Sequence, residues 1–318
     1  MSLKRRISWI IHSADRLDTV IRLDDHTDNL RWRTIIRILL IPAALVNLLK
    51  LMAVREPKHF QYQLGIVSIV KNEAPYMAEW ICYHLSAGVD HIFLYDNDST
   101  DDLQDVLRSF GERVTLIPIH GVVRQLDAYN HALNHYGLAC RFMAFIDADE
   151  FIYSPEGDHE VKPVIEDILD RPHVGGLAVN WLIYGSSHFE HQPAGLVTDN
   201  FVLRSRFDFT KNLLIKTICN PRRVFYFSLS HAPNYLPGYH AVNELGTVVP
   251  WATTKEYSGK RIRLNHYYSK SREAFLKKRA RGSGEVIAPR RIEEFKEHDK
   301  NDVLDASMRD YNALHHLS

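Results

Sequence analysis

The feature that most constrains this fold is a regular alternation of short apolar runs and amphipathic segments between residues 64 and 146. The runs are rich in β-branched and aromatic residues, and they predict strands at 64–70, 91–95, 114–119 and 142–146. The segments between them have apolar residues at helical spacing and predict three helices. Strands and helices in this order predict βαβ units and a mostly parallel sheet.

Sequence signals also indicate where two of these helices begin and end. Pro75 suits the first turn of the first helix, and Gly88 is expected to close that helix. Ser99 and Thr100 are expected to cap the second helix, because a hydroxyl oxygen there can accept a hydrogen bond from an exposed backbone N–H.

The second half of the chain is less regular. Segments 184–199 and 228–250 are rich in glycine, proline, histidine and serine, which predicts long functional loops rather than linkers. The basic run at 270–281 is predicted to be helical. With 318 residues, the chain suits either one elaborated α/β domain or two domains of ~150 residues.

Charge is unevenly distributed, although the 39 basic and 39 acidic residues make the whole chain neutral. Residues 1–60 carry 11 basic and 6 acidic groups, whereas residues 61–259 carry 14 and 24. The acidic middle suits a divalent cation, and the basic ends suit phosphates or an anionic membrane surface. Nucleic-acid binding is disfavoured, because no single stretch interleaves basic and aromatic residues.

The N-terminal part contains the most lipid-like stretch, ILLIPAALVNLL at 38–49. It is too short for a spanning helix, which needs ~20 apolar residues. Basic residues surround it, so it predicts either an amphipathic anchor at an anionic membrane or a helix packed on the chain's own core. The three cysteines have no CxxC spacing, and the first residues lack an apolar run of signal-peptide length. We therefore expect a cytoplasmic protein, peripheral at the cytoplasmic face of the membrane if the stretch is an anchor.

The most informative motif is FIDADEF at 145–151, which places Asp147, Asp149 and Glu150 directly after a buried strand. The carboxyl edge of a parallel sheet is where α/β folds bind ligands. Clustered carboxylates repel one another unless a cation or a proton joins them, and oxygen ligands favour Mg²⁺ or Mn²⁺. The motif therefore predicts a divalent cation that also binds diphosphate oxygens, with a surface turn of spare acids as the alternative.

Polar loops after the first two strands are expected at the same edge. Lys71, Asn72 and Glu73 follow the first strand, and Asp96 and Asp98 follow the second. Asn and Asp side chains can hydrogen-bond a nucleobase edge and ribose hydroxyls. Turn formation or helix capping is the competing interpretation.

Together these motifs carry a resemblance. VSIVKNEAPYMAEWICYHLSAGVDHIFLYDNDSTDD, RQLDAYNHAL and FIDADEF, in this order, resemble the nucleotide-sugar half of GT-A glycosyltransferases. The closest similarity is to the family 2-like group that includes glycosyltransferase family 92, and NWLIYGSSH, HAPNY and LNHYYSKSREAFLKKRARG resemble the same family. The resemblance implies an α/β fold of GT-A type, with a Rossmann-like, mostly parallel central sheet flanked by helices and an elaborated C-terminal acceptor half.

The resemblance also divides the chain. The GT-A domain is expected to cover residues 64–282, with a nucleotide-sugar half at 64–152 and an acceptor half at 153–282. A basic, helical and possible membrane-binding extension at 1–63 precedes it, and a helical tail at 283–318 follows it.

The implied activity is transfer of a sugar, with inversion, from a UDP-sugar to a hydroxyl of a glycan or a lipid-linked glycan, with Mn²⁺ or Mg²⁺ as the cofactor. Asp147 and Asp149 would be the DxD pair, and His266 in the NHY motif would be a further ligand of the metal or the diphosphate. The residues implied to bind the donor are Lys71, Asn72, Glu73, Asp96 and Asp98 around the uridine, and Gln125 and Asp127 at the DxD loop or the sugar, with a packing role as the alternative for the last two. Lys277, Lys278 and Arg281 are expected to close over the diphosphate because their charges would neutralise it, with a solvated basic helix as the alternative.

An inverting enzyme also needs a carboxylate near the acceptor hydroxyl to act as general base. The Glu-Asp motif of family 2 is absent from this chain. Asp199 is the first candidate, because it is expected to open a helix after the acceptor loop, and Asp208 and Glu244 compete with it.

Other functions remain open at this point. A hydrolase would use water in place of the acceptor, and a membrane-associated binding protein would keep a degenerate transferase fold without activity. A nucleotidyltransferase is disfavoured, because KNEAPY follows the first strand where a glycine-rich phosphate loop is expected. The sequence also contains neither a Walker A nor a GxGxxG motif.

Overall fold

The computed structural model describes residues 45, 48, 49, 51–282 and 291–317. The predictions for residues 1–44, which form most of the N-terminal extension, lie outside these residues. Within the described part of the chain, no helix is both long enough and apolar enough to cross a membrane.

The strands are β1 Tyr62–Val70, β2 His91–Asp96, β3 Val114–Pro118, β4 Cys140–Phe145, β5 Glu150–Tyr153, β6 Val174–Ile183, β7 Leu203–Arg204, β8 Ile215–Cys219, β9 Val224–Phe227, β10 Pro233–Tyr235, β11 His240–Val242, β12 Arg263–His266 and β13 Val303–Leu304. The α-helices are α1 Ala74–Ser86, α2 Leu103–Leu107, α3 Gln125–Tyr136, α4 Lys162–Leu169, α5 Val197–Asn200, α6 Arg272–Arg281, α7 Glu293–His298 and α8 Ser307–His315. Short 3₁₀ helices cover Arg108–Arg113, Thr210–Leu213 and Pro221–Arg223.

Nine strands form one central sheet in the order β3-β2-β1-β4-β8-β6-β12-β5, with β11 also paired to β6. β1, β2, β3 and β4 are mutually parallel, as are β6, β11 and β12. β8 runs antiparallel to both β4 and β6, and β5 runs antiparallel to β12. The predicted α/β class with a mostly parallel central sheet is therefore confirmed.

The first half folds as its apolar pattern predicts. The interior residues of β1 are almost all buried, and α1 buries Met77, Trp80 and Ile81 in the core that covers one face of the sheet. α3 buries Ala128 and Tyr129 in a second cluster, which includes the opposite-facing residues of the same strands. The helices therefore lie on both faces and leave the carboxyl ends of the parallel strands for the loops.

The expected cap of the second helix was wrong. Asp102, rather than Ser99 or Thr100, precedes α2. The Ser99 hydroxyl accepts a hydrogen bond from the backbone N–H of Asn72 at 3.0 Å, and the Thr100 N–H donates to Asn72 Oδ1 at 2.7 Å. These hydrogen bonds join the loop after β2 to the loop after β1. A hydroxyl group can hydrogen-bond the backbone of a neighbouring loop as readily as it caps a helix.

The described C-terminal segment, residues 291–317, packs on the main core and contains α7 and α8. Met308 and Tyr311 of α8 are almost completely buried in the same cluster as α1. Asp305 accepts a hydrogen bond from Arg204 at 2.8 Å and another from Arg263 at 3.2 Å. The Asp305 and arginine side chains are largely buried, so these charge-assisted hydrogen bonds attach the segment to the rest of the protein in its interior.

Candidate functional site

The acidic turn lies where the sequence predicts it, between β4 and β5. Glu150 closes the turn, because its Oε2 accepts a hydrogen bond from the backbone N–H of Asp147 at 2.8 Å. β5 then pairs with β12 in a register that places His266 opposite Glu150. The strand pairing therefore brings the histidine of the NHY motif to the acidic turn across 116 residues of sequence, counted from 150 to 266.

Asp147 is held on the side of the turn that faces the sheet. Lys216 of β8 places its Nζ 3.0 Å from Asp147 Oδ2, and Gln125 of α3 donates to Asp147 Oδ1 at 2.8 Å. Burial disfavours the ionised carboxylate, but the Lys216 ammonium outweighs this effect and holds the pKa of Asp147 below its ordinary value. Asp147 is therefore an ionised carboxylate with a fixed orientation.

Asp149 faces the opposite side, toward α6 and β12. Lys278 donates to Asp149 Oδ2 at 2.5 Å, and His266 Nε2 lies 3.4 Å from Asp149 Oδ1. Burial acts to raise the pKa of Asp149, but the Lys278 and His266 side chains together hold this pKa well below its usual range. A nearly buried carboxylate with a cation on one oxygen and an imidazole on the other is therefore charged in this structure.

Glu150 and His266 form the buried floor of the site. Burial raises the pKa of Glu150 well above its ordinary value, although Lys216 opposes the shift. Burial likewise lowers the pKa of His266, which favours the neutral imidazole that can bind a metal. The His266 ring also packs against Trp181, with 4.4 Å between ring centroids, so its orientation is fixed.

These residues fit a divalent cation that is shared with a substrate. Among the described residues, no three His, Cys, Asp or Glu side chains are grouped so that they could hold a metal ion alone. Asp149 and His266 do meet, and the 3.4 Å between their Oδ1 and Nε2 atoms is near the ~3 Å that separates two neighbouring ligands of one small cation. Mg²⁺-type sites usually complete their shell with substrate phosphates and water.

The loops after β1 and β2 lie side by side at this edge. Asn72 and Asp98 both have positive φ angles, of 51° and 59°, a conformation that Asn and Asp tolerate better than most residues. Asp96 accepts a hydrogen bond from the Ser99 N–H at 2.9 Å, and Asp98 accepts one from His120 at 2.6 Å. The His120 hydrogen bond is the main cause of the lowered pKa of Asp98.

The other predicted donor residues differ in their surroundings. Glu73 is almost fully buried beside Arg281, while Lys71 is half-buried and contributes to the lowered pKa of Asp98. Asp127 pairs with Arg124, the residue that precedes α3, at 2.8 Å, and Gln125 contacts the DxD motif through Asp147.

The basic residues of α6 divide into two groups. Lys278 contacts Asp149, and Arg281 donates to the backbone carbonyl of Asn72 at 3.0 Å and pairs with Glu73. Lys277 is largely exposed and pairs with Glu273 one turn earlier. Two of the three predicted diphosphate ligands therefore contact the site in this structure.

The predicted base residues do not gather at the acidic turn. Asp199 lies inside the short helix α5 rather than at its start, and its Oδ1 accepts a hydrogen bond from Asn312 at 2.8 Å. Asp208 is largely exposed beside Arg206. Glu244 accepts hydrogen bonds from three backbone N–H groups at 260–262, directly before β12.

Sequence reasoning missed two lysines at the site. Lys216, the second residue of β8, is 1% exposed. The sequence signal that could have indicated it was a lysine within the otherwise largely apolar run IKTIC. Lys270 is almost buried, has a positive φ of 48°, and places its Nζ 4.3 Å from the centroid of the Tyr76 ring. Its charge contributes to the lowered pKa of Asp149, so it is a further cation near the acidic turn.

The fold and the site define a class of protein. An α/β sheet presents an acidic turn, a buried histidine and several lysines at the carboxyl ends of its parallel strands, which is where such folds bind nucleotides. This arrangement suits an anionic substrate that binds together with a cation.

The chain belongs to glycosyltransferase family 92, whose sequence profile matches residues 67–303. The resemblance based on the motifs is thereby confirmed. A family 92 protein of Ricinus communis is 32% identical over 147 residues, which are 45% of this chain and 26% of that protein. One from Oryza sativa subsp. japonica is 28% identical over 156 residues, 47% of this chain and 26% of that protein. The chain thus matches about a quarter of the length of these relatives.

Solved structures with lower similarity include two transferases and a fragment of a third protein. The mannosyltransferase PcManGT from Pyrobaculum calidifontis, solved with GDP-Man and Mn²⁺, is 19% identical with a TM-score of 0.31 over 45% of each chain. Glucosyl-3-phosphoglycerate synthase from Mycobacterium tuberculosis, solved with Mn²⁺ and UDP-Glc, is 17% identical with a TM-score of 0.29 over 40% of this chain and 50% of that one. TarS residues 1–349 from S. aureus, solved with UDP, are 15% identical with a TM-score of 0.34 over 57% and 60%.

Proposed function

We propose that this family 92 glycosyltransferase uses a UDP-sugar and a divalent cation, Mn²⁺ or Mg²⁺, to glycosylate a hydroxyl of a glycan or lipid-linked glycan with inversion. The observation that carries the proposal is the meeting of Asp149 with His266 at the carboxyl edge of the sheet, 3.4 Å apart. Strand pairing between β5 and β12 produces this contact, so it is built into the fold.

The residues divide the work of binding the donor. Asp149 and His266 would hold the cation, and Asp147 is kept in place by Lys216 and Gln125. A bound divalent cation would stabilise the negative charge that develops on the departing diphosphate. Lysine and arginine side chains of α6 would bind the same phosphates through charge-assisted hydrogen bonds.

The nucleoside would lie over the loops after β1 and β2. Asn72 and Asp98 hold these loops in conformations with positive φ, and such backbone strain is concentrated at functional sites. Asp96 and Asp98 are the carboxylates proposed for the ribose and uracil, with Lys71 and Glu73 beside them. Asp199 stays the predicted general base. Both carboxylate oxygens of Glu244 already accept hydrogen bonds from backbone N–H groups, and Asp208 is exposed beside Arg206.

Calorimetric titration of the full-length protein with UDP tests the proposal. We expect UDP to bind in the presence of Mn²⁺ and at least about tenfold more weakly in EDTA, because the cation neutralises the diphosphate within a buried acidic site. GDP and CDP serve as controls for recognition of the nucleobase. Equal UDP binding with and without the cation would contradict the metal assignment. Release of UDP from a UDP-sugar without any acceptor would instead favour a hydrolase.

We also propose that the N-terminal segment binds an anionic membrane at the cytoplasmic face. Leu45, Leu49 and Met52 are each more than half exposed, and their spacing places them on one face of a helix. Basic residues follow at Arg55 and Lys58, and a basic, apolar-faced helix is typical of a surface anchor.

Vesicle flotation of the full-length protein checks this localisation. We expect binding to vesicles that contain phosphatidylserine, and loss of most of it when Leu45, Leu49 and Met52 are all changed to serine, since each apolar side chain contributes ~1 kcal/mol or more to insertion. A variant with Leu304→Ser and Leu314→Ser, two similarly exposed leucines at the other end of the chain, is the matched control. Failure of the wild-type protein to float would reject the anchor.

A further inference from the structure

Helix α6 brings its cations back over the acidic turn. The helix begins six residues after His266, where the Ser271 hydroxyl caps it by accepting a hydrogen bond from the Ala274 N–H at 3.1 Å. Phe275 is fully buried and fixes the rotation of the helix. The last two turns therefore point Lys278 at Asp149 and Arg281 at the loop after β1.

The Lys278 ammonium is fixed from several sides. Its Nζ lies 2.5 Å from Asp149 Oδ2 and 3.1 Å from the backbone oxygen of Tyr268. It also lies 3.9 Å from the centroid of the Tyr268 ring, an arrangement that attracts a cation to the face of an aromatic ring. Because the Lys278 side chain is only 9% exposed, this contact is a defined part of the site rather than a surface ion pair.

Asp149 cannot keep this partner and also bind a divalent cation in the same way. His266 lies at one oxygen and the ammonium at the other, so a cation shared by Asp149 and His266 would sit close to a like charge. Two positive charges a few ångströms apart in a nearly buried site repel strongly. The ammonium therefore has to move when the cation binds, and the diphosphate supplies the nearest new negative charge.

We propose that Lys278 is an internal counter-ion of the cation site, which neutralises Asp149 in the donor-free protein and transfers to the diphosphate when cation and nucleotide bind. The inference rests on the proposed function and adds to it how the two ligands depend on each other in binding. A cation that binds alone has to displace Lys278, and the ammonium then has no new partner. With the nucleotide present, each charge exchanges one opposite charge for another.

The exchange predicts positive coupling between the two ligands. Binding of the nucleotide increases the affinity for the cation, and the cation increases the affinity for the nucleotide by the same factor. Removal of the Lys278 charge is expected to have opposite effects on the two affinities. A residue that only supports the fold would lower both of them.

Binding of Mn²⁺ alone, followed by electron paramagnetic resonance, tests the proposal with Lys278→Met, which removes the charge and keeps most of the unbranched side chain. We expect Mn²⁺ to bind this variant about tenfold more tightly than wild type, because the ammonium no longer has to leave Asp149 before the cation can bind. In saturating Mn²⁺, the same variant should bind UDP about tenfold more weakly, since one charge-assisted hydrogen bond is lost. Lys296→Met, an exposed lysine of α7, is the matched control and should change neither affinity.

The outcomes separate this inference from the proposed function. Unchanged or weaker binding of Mn²⁺ alone to Lys278→Met, with normal Mn²⁺-dependent UDP binding by wild type, would overturn the counter-ion role and leave the function intact. No binding of Mn²⁺ by wild type, even with UDP, would reject the proposed function itself. Thermal melting shows whether the variant is folded. Mn²⁺ should raise the melting temperature of Lys278→Met, or of Lys278→Gln, more than it raises that of wild type.

Discussion

Replacing Asp149 by asparagine is expected to lower the rate of sugar transfer by about three orders of magnitude. Asparagine keeps the shape of the side chain but removes the negative charge that His266 and Lys278 face at 3.4 Å and 2.5 Å. Under the proposed function, the charge that would hold a divalent cation beside the diphosphate is then missing, and the transition state would lose its main electrostatic stabilisation. The measurement is kcat/KM for UDP release with acceptor at several Mn²⁺ concentrations.

Asp158→Asn provides the matched control, because this carboxylate is exposed in the turn after β5. It makes the same change in charge and should retain wild-type activity. Thermal melting of both variants establishes that the protein is folded, which matters because Asp149→Asn leaves Lys278 without its carboxylate. Activity of Asp149→Asn within tenfold of wild type would show that Asp149 does not hold a catalytic cation.

Replacing Lys216 by methionine is expected to lower the free energy of unfolding by about 2–3 kcal/mol, less than for a fully buried pair, because solvent screens a partly exposed carboxylate. Lys216 is 1% exposed, and its ammonium lies 3.0 Å from Oδ2 of Asp147, whose side chain is 35% exposed. Without this charge, Asp147 and the fully buried Glu150 remain side by side with less compensation. Urea denaturation, followed by tryptophan fluorescence, measures the change.

The loss should depend on pH in a defined direction. Burial already raises the pKa of Glu150 well above its ordinary value, and removal of Lys216 would raise it further. The same change would remove the charge that holds the pKa of Asp147 below its ordinary value. A carboxyl group with a higher pKa in the folded state destabilises the protein increasingly as pH rises above its unfolded value. The cost should therefore be greater at about pH 8 than at about pH 5.

A second substitution separates the pair from general packing. Asp147→Asn in the Lys216→Met background should restore part of the lost stability, because the unpaired charge is removed together with its partner. Additive effects of the two substitutions, or a loss below about 1 kcal/mol for Lys216→Met alone, would show that the ion pair is not needed at this position.

The first half of the fold and the location of the site followed from the sequence. Four strands from β1 to β4 form near their predicted positions, because each is a continuous apolar run bounded by turn residues. The acidic turn lies at the carboxyl end of β4 because consecutive βαβ units place every such end on one edge. Local pattern was sufficient wherever neighbouring elements in the chain are also neighbours in space.

The contacts that define the chemistry did not follow from local pattern. Lys278 reaches Asp149 across 129 residues of sequence, and no spacing rule connects two such positions. β8 is a five-residue strand with a lysine at its second position, so nothing in its own sequence predicts insertion between β4 and β6. The capping role expected of Ser99 and Thr100 failed for the same reason, since their partner is Asn72 in another loop.

The insertion of β8 determines how the two parts of the described chain are joined. The sequence predicts a division at residue 152, but β8 joins β4, which precedes this point, to β6, which follows it, by hydrogen bonds. The two halves are therefore one continuous sheet without a hinge between them. If the proposed function holds, closure of the donor onto the acceptor would have to come from loops and from α6, because the sheet itself is continuous.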